Sequence, residues 1–218
     1  MTMLYLKPVL NILLIFTTFA FVHSITVSNR FKFFIIGLFG ERFVKGCYRL
    51  IFTSFSVIIT GITFTLIAIQ PNAGQTIELP YIIRILCPVF QFIGLILIIL
   101  PFKYINILEF TGISQFFSYI KGKKISGDLE GLNLKGLITD GIFGYVRHPL
   151  YLGSFLIITF NPSPDINKIA LIIAADIYFI IGGIIEQQRL VKIFGDEYIE
   201  YMKIVPAFFP TLRRIKRI

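Results

Sequence analysis

Charge is scarce in this chain. Only 15% of its 218 residues are Asp, Glu, Lys or Arg, 56% are hydrophobic, and the mean hydropathy is +0.80. A soluble globular domain of this length cannot conceal so much apolar surface, so the composition specifies an integral membrane protein. Cysteine is also scarce, with Cys47 and Cys87 alone. In the topology derived below the two fall at opposite membrane faces and are not expected to pair. Neither has a Cys or His neighbour at ligand spacing, so no metal site is expected. No G-x-G-x-x-G follows a strand pattern, which leaves a Rossmann domain without support. No inverted repeat and no line of intramembrane charges through several spans suggests a channel or transporter. With no Gly/Ser or Pro linker either, residues 1–218 read as one domain, with scaffold helices over 1–102 and a site-forming part over 103–218.

Long apolar runs are what the chain does have. A hydrocarbon core of about 30 Å takes about 20 helical residues, and Leu4–Val22, Cys47–Ile69 and Tyr81–Phe102 are in that size class. Leu150–Phe160 and Ile166–Ile185 supply a fourth and a fifth span. The fourth would be only about 16 Å long. It is therefore expected to form a hairpin with the fifth, turning at Asn161-Pro162-Ser163-Pro164-Asp165, with its span completed by residues before Pro149. Leu4–Val22 is longer than a signal-peptide core and is followed by His23 and a basic stretch, so it reads as the first span. The fold class is thus all-α, a polytopic membrane bundle of about five transmembrane helices.

The net charge of +9 follows that topology. Arg30, Lys32, Arg42, Lys45 and Arg49 face only Glu41 in one connector, and the next, Gln70–Pro80, has only Glu78. Lys103–Arg147 is again rich in Lys, and the tail carries Arg213, Arg214, Lys216 and Arg217. Under the positive-inside rule this alternation places the N-terminus outside and the C-terminus in the cytoplasm. The cations are dispersed over three juxtamembrane segments, where lipid headgroups account for them, so no nucleic-acid partner is expected.

The most informative stretch is Gly141–Phe155, GIFGYVRHPLYLGSF, which sets Arg147, His148, Pro149 and Tyr151 at the mouth of an apolar helix. Polar groups are expensive there unless used. Pro149 suits the first helical turn, where its missing N–H costs nothing, and His148 brings a titratable ring. A second stretch, Glu186–Pro210, reads EQQRLVKIFGDEYIEYMKIVPAFFP. Leu190, Val191 and Phe194 share one helical face, and after Gly195 the positions Tyr198, Tyr201 and Met202 repeat that spacing. This predicts a broken, amphipathic helix on the cytoplasmic surface. Glu186 directly follows Ile184-Ile185 at the end of the fifth span, and a buried carboxylate there wants a cation, which Arg147 or a ligand ammonium or ribose could meet.

VRHPLYLG (Val146–Gly153), the hairpin, Glu186 and then FGDEYIEYMKIVPAFFP (Phe194–Pro210) resemble the isoprenylcysteine carboxyl methyltransferase and phospholipid N-methyltransferase superfamily over Leu134–Pro210. Phe21-Val22-His23-Ser24, Arg30-Phe31-Lys32 and Leu108–Gln115 look like the NnrU, nurim and methanethiol S-methyltransferase branch. The resemblance implies a membrane methyltransferase using S-adenosylmethionine, with a small or lipid-like methyl acceptor and no metal. Carried over residue by residue, it implies a cofactor pocket of Lys135, Gly136, Leu137, Ile138, Phe143, His148, Pro149, Leu150, Tyr151 and Glu186. Arg147 and His148 are the implied catalytic pair.

Two positions depart from that pattern. Residue 143 is Phe where the family commonly has Tyr, and Gly182, beside Gly183, stands where the isoprenylcysteine enzymes carry an Arg proposed to hold the substrate carboxylate. A thiol is therefore favoured over an isoprenylcysteine carboxylate, while the glycines also read as permitting close helix packing. Arg147 also reads as a snorkelling side chain, His23 with Ser24 as a helix-end polar pair, and Tyr198 and Tyr201 equally as interfacial anchors or ligand contacts. Asp176, in mid-span, reads equally as a packing or a substrate group. The alternative from another class is a non-enzymatic structural or assembly protein of the NnrU and nurim type.

Overall fold

A computed structural model describes residues 2–72, 74, 76–132 and 136–210. The basic tail Arg213–Arg217 and the predicted ligand Lys135 lie outside them. The described residues form only helices and connecting segments: α1 (Thr2–Val27), α2 (Asn29–Phe39), α3 (Glu41–Phe43) with a π-helical turn (Val44–Tyr48), α4 (Arg49–Ala68), α5 (Tyr81–Ile99), α6 (Ile107–Thr111), α7 (Ile113–Ile120), α8 (Pro149–Thr159), α9 (Ile166–Phe194) and α10 (Asp196–Ile204). Four helical stretches are long and apolar enough to cross a bilayer: Leu6–Val27, Glu41–Ala68, Tyr81–Lys103 and Ile166–Phe194. α8 is a further, shorter apolar helix. Their outward faces carry Leu14, Val57, Ile82, Phe92 and Ile185, each more than half exposed, as expected where lipid rather than water is the solvent. The chain is an integral, multi-pass membrane protein.

The helices gather into two compact units. One comprises Leu14–Ile69 and Ile105–Lys135. At its centre Glu130 pairs with both Lys32 and Arg49, all three side chains being largely removed from solvent. A carboxylate so buried is tolerable only with such partners. Arg49 also donates from Nε to the Phe110 carbonyl at 2.6 Å and lies over the Phe110 ring. Gly112 has φ 89°, and a Cβ there would strike the Arg49–Leu50 backbone, so only glycine lets α6 and α7 meet α4 so closely. Two cations that charge counting assigns to topology thus hold the fold. His23 is not at a helix end: α1 continues to Val27, and its ring sits 5.7 Å from Phe19 and 5.3 Å from Phe52.

The other unit comprises Met1–Leu13, Gln70–Tyr104 and Gly136–Ile218. In it α5 and α8 approach through glycine. A Cβ on Gly94 would lie 2.7 Å from the Gly153 carbonyl oxygen, and one on Gly153 would lie 2.8 Å from Ile98 Cγ1. Gln91 Nε2 donates to the Ile157 carbonyl at 3.2 Å, and Phe90 stacks on Phe160 at 4.2 Å. The residues before Pro149 do not lengthen α8, contrary to expectation: Gly141–Gly144 is a 3-10 turn, and His148, at φ −120° and ψ 64°, is already non-helical. Proline disfavours helix at the residue before it. At the far end, Thr159 Oγ1 donates to both carboxylate oxygens of Asp176 (3.1 and 2.9 Å). This fixes the end of α8 about 15 Å along α9 from Ile166. The chain covers that depth as the segment Phe160–Asp165, where Pro162 and Pro164 bring no N–H to satisfy and Asn161 Oδ1 accepts from Ser163 N at 3.0 Å. Asp176 is thus a packing group between α8 and α9. Both cysteines are free and buried.

Gly153→Val and Gly94→Val should each lower the thermal unfolding midpoint of the detergent-purified protein, at a cost of about 1–3 kcal/mol. The double variant should cost less than the sum, because either substitution already separates α5 from α8. Unchanged midpoints would remove the close contact from the account.

Candidate functional site

The segment between the 3-10 turn and α8 has no helix to satisfy its backbone, so it borrows partners from the C-terminal stretch. Arg147 N donates to the Pro206 carbonyl at 2.9 Å and His148 N to the Ala207 carbonyl at 3.1 Å. Arg147 Nε reaches the Val205 carbonyl at 2.8 Å, and its Nη1 reaches Gln187 Oε1 at 2.7 Å. The guanidinium carbon lies 5.9 Å from the centroid of the Tyr198 ring. Arg147 is therefore no free snorkelling side chain, and it does not serve as the counter-ion of Glu186. It is a clamp joining the start of α8, α9 and the chain after α10.

The break after α9 falls where the sequence placed it, at Gly195, with φ 58° and ψ −132°. α10 packs back through Tyr198 and Tyr201, which are buried with Val205 against Leu137, Leu190, Val191, Phe194 and Met202. These tyrosines are core residues rather than interfacial anchors. The Tyr201 hydroxyl donates to the Phe143 carbonyl, so α10 also fixes the 3-10 turn. Burial raises the pKa of Tyr201, which keeps this donor protonated near neutrality.

His148 is 4% exposed and occupies the N-cap position of α8, without a side-chain hydrogen bond to the helix, at the turn into Pro149, itself buried. Its ring packs 5.8 Å from Tyr151, edge to face, and 5.8 Å from Phe208. Its Nδ1 stands 3.7 Å from Glu186 Oε2, whose side chain keeps 43% of its surface accessible. Burial, with the Arg147 charge adding to it, lowers the His148 pKa to about 4. The ring is thus neutral near pH 7, and its approach to Glu186 is not an ion pair there. The carboxylate beside Nδ1 favours the tautomer with the proton on that nitrogen. Nε2 is then the bare acceptor, and it is buried without a hydrogen-bond partner among the described residues. Glu186 instead accepts a hydrogen bond from the Tyr151 hydroxyl, with the Arg189 charge nearby.

The glycines of α9 make this packing possible. A Cβ on Gly182 would lie 3.1 Å from Tyr151 Cε1, and one on Gly183 would lie 2.6 Å from Phe208 Cζ. Position 182 is therefore occupied by the Tyr151 ring in space, with Phe179 6.5 Å from that ring on the same helix.

The structure brings Arg147, His148, Pro149, Tyr151 and Glu186 together, with Leu150 in the first turn of α8. Phe143 belongs to the same region through its carbonyl. Gly136 has φ 130° with open space where a Cβ would stand, Leu137 points into the Tyr198–Tyr201 core, and Ile138 is 36% exposed. Gln187, Phe208 and the carbonyls of Val205, Pro206 and Ala207 escaped the sequence reading. Backbone acceptors leave no trace in residue identity, and a glutamine following a glutamate carries no mark of its own. No group of three or more His, Cys, Asp or Glu that could hold a metal occurs among the described residues.

Fold and site define a class, a polytopic helical membrane protein with a polar cluster at the mouth of a span, and the comparisons relate it to methyltransferases. The chain is 28% identical over 93% of its length to methanethiol S-methyltransferase 1 of Bradyrhizobium diazoefficiens, covering 67% of that protein. It is 29% identical over 54% of its length to the methanethiol S-methyltransferase of Pseudomonas deceptionensis, and 30% identical over 50% to the protein-S-isoprenylcysteine O-methyltransferase of Schizosaccharomyces pombe. It spans 42% and 45% of those two relatives. The resemblance to the isoprenylcysteine carboxyl methyltransferase superfamily holds. No family model and no solved structure matches the chain.

The buried neutral His148 has a measurable consequence. Between pH 6.5 and about 4 the unfolded chain binds a proton that the folded ring refuses, so its contribution to stability is complete above pH 6.5 and falls on acidification through that window. At pH 5 the loss is about 2 kcal/mol. The fall in unfolding midpoint from pH 7 to pH 5 should be smaller in His148→Asn than in the native chain. Equal falls would mean that the ring is charged or exposed when folded.

Proposed function

We propose that this protein is an S-adenosylmethionine-dependent methyltransferase of the membrane, acting on a small or lipophilic thiol at the cluster of His148, Tyr151 and Glu186. The observation that carries the reading is that Glu186, a partly exposed side chain, stands 3.7 Å from Nδ1 of His148, whose buried Nε2 has no partner among the described residues, at one helix mouth. Relatives named as methanethiol S-methyltransferases support it, and they favour it over a purely structural protein.

The residues suit the proposed cofactor. Its ammonium and ribose hydroxyls ask for a carboxylate, which Glu186 offers, and its sulfonium favours aromatic faces such as Tyr151 and Phe208. The open space where a Gly136 Cβ would stand leaves the backbone of Gly136 free to approach a ligand. When bound, S-adenosylmethionine supplies an electrophilic methyl group. The chain's own part is to hold the acceptor in line as its thiolate, the proton having passed to water before binding, and to keep water out. His148 keeps a neutral ring at this mouth, and Arg147 positions it by holding the segment before α8 against the chain after α10. Methyl transfer asks for little more than that alignment. Beside Gly182, Tyr151 and Phe179 offer rings rather than a cation, which suits a neutral thiol better than a carboxylate.

Charge alternation supports an N-terminus outside and a cytoplasmic C-terminus, which puts this site on the cytoplasmic side. The site residues fall in the 103–218 part of a single membrane domain, with 1–102 as scaffold.

Adding S-adenosylmethionine to the detergent-purified protein should raise its unfolding midpoint, by about 2.7 kcal/mol of stabilisation at 100 times the dissociation constant. Glu186→Gln should remove the shift, and His148→Ala should abolish methylation of methanethiol while the variant stays folded. No shift at millimolar cofactor in a folded sample would sink the proposal.

A further inference from the structure

The unit that holds α2, α3 and α4 has a second polar feature, unrelated to the site above. A cleft of roughly 240 Å³ is lined by Glu41, Arg42, Lys45, Lys123, Lys124 and Ile125. We propose that it binds the phosphate headgroup of an anionic phospholipid. Four cations stand against one carboxylate, a local charge of +3, and the carboxylate is already engaged, since Glu41 pairs with Lys45 at 2.8 Å. Arg42 donates from Nη2 to the Tyr119 carbonyl at 3.3 Å and lies over that ring at 5.4 Å, so its guanidinium is oriented. The ammonium groups of Lys123 and Lys124 have no partner among the described residues. Such an assembly repels itself unless an anion joins it.

Position identifies the anion as a lipid's. The cleft opens where the span Glu41–Ala68 begins, the level at which headgroups lie. On the sequence-adjacent side α2 turns Phe33, Phe34, Leu38 and Phe39 outward, each more than half exposed. Phe39 continues onto Phe43 of α3 with ring centroids 5.1 Å apart. A ligand that meets both features has an anionic head and apolar chains. A free phosphate would use only the cations.

The test uses the full-length protein in a neutral detergent, titrated with a short-chain phosphatidylglycerol, the matching phosphatidylcholine and inorganic phosphate, and read by unfolding midpoint. Phosphatidylglycerol should raise the midpoint, and the other two should not at the same concentration. Each cation near a headgroup changes affinity about fivefold, so Lys123→Gln/Lys124→Gln should weaken the apparent dissociation constant roughly thirtyfold, with Lys192→Gln unchanged. Raising salt should weaken it too. Phe34→Ser/Phe39→Ser should weaken phosphatidylglycerol and leave the native fold intact by circular dichroism. Equal shifts with the two lipids, an equal shift with inorganic phosphate, or full affinity in the double lysine variant would each overturn the proposal.

Discussion

The site depends on one short piece of backbone pairing. Arg147 and His148 lie where an extended segment meets the first turn of an apolar helix, and their N–H groups would be costly to leave unmet at that depth. The carbonyls of Pro206 and Ala207 meet them, and Arg147 locks the same segment by reaching the Val205 carbonyl. This brings the chain after α10 against the mouth of α8 and puts Phe208 beside the His148 ring. The burial that keeps the imidazole neutral follows from that alignment.

Rings packed on glycine complete the arrangement. Gly182 and Gly183 leave α9 without side chains on the face where Tyr151 and Phe208 lie, so the aromatic edges come within contact distance of the helix. Larger residues there would have to displace the rings that frame His148 and Glu186. The absence of a side chain at position 182 thus does two things at once, since it takes away any cation and gives its space to Tyr151. In the other unit the same economy of charge appears as the Lys32–Glu130–Arg49 cluster, where cations that set topology are also interior partners. In the neighbouring cleft Lys45 has Glu41, but Lys123 and Lys124 have no such carboxylate among the described residues.

Much was legible in the sequence, for a physical reason in each case. A bilayer demands apolar helices of fixed length, so hydropathy alone located the spans, and the break at Gly195 followed from a glycine interrupting a helical period. His148, Pro149, Tyr151 and Glu186 stood out because polar groups at membrane depth are rare enough to be noticed. Tertiary structure alone decided what those groups touch. Arg147 was a candidate partner for Glu186 by charge, yet it holds Gln187 and backbone carbonyls, because hydrogen-bond geometry and not charge sign selects among nearby acceptors. Tyr198 and Tyr201 read equally as interfacial anchors or ligand contacts, yet both are core residues because α10 folds back on α9. Leu150–Phe160 looked like a span in need of extension, but α8 stays short because the Thr159–Asp176 bonds and the proline-bearing segment Phe160–Asp165 carry the chain through the remaining depth. The sequence therefore determined which residues lie in or beside the membrane, since that is a property of each residue and its spacing. Their partners were decided only on folding, since contacts between segments distant in sequence depend on helix packing that no local pattern encodes.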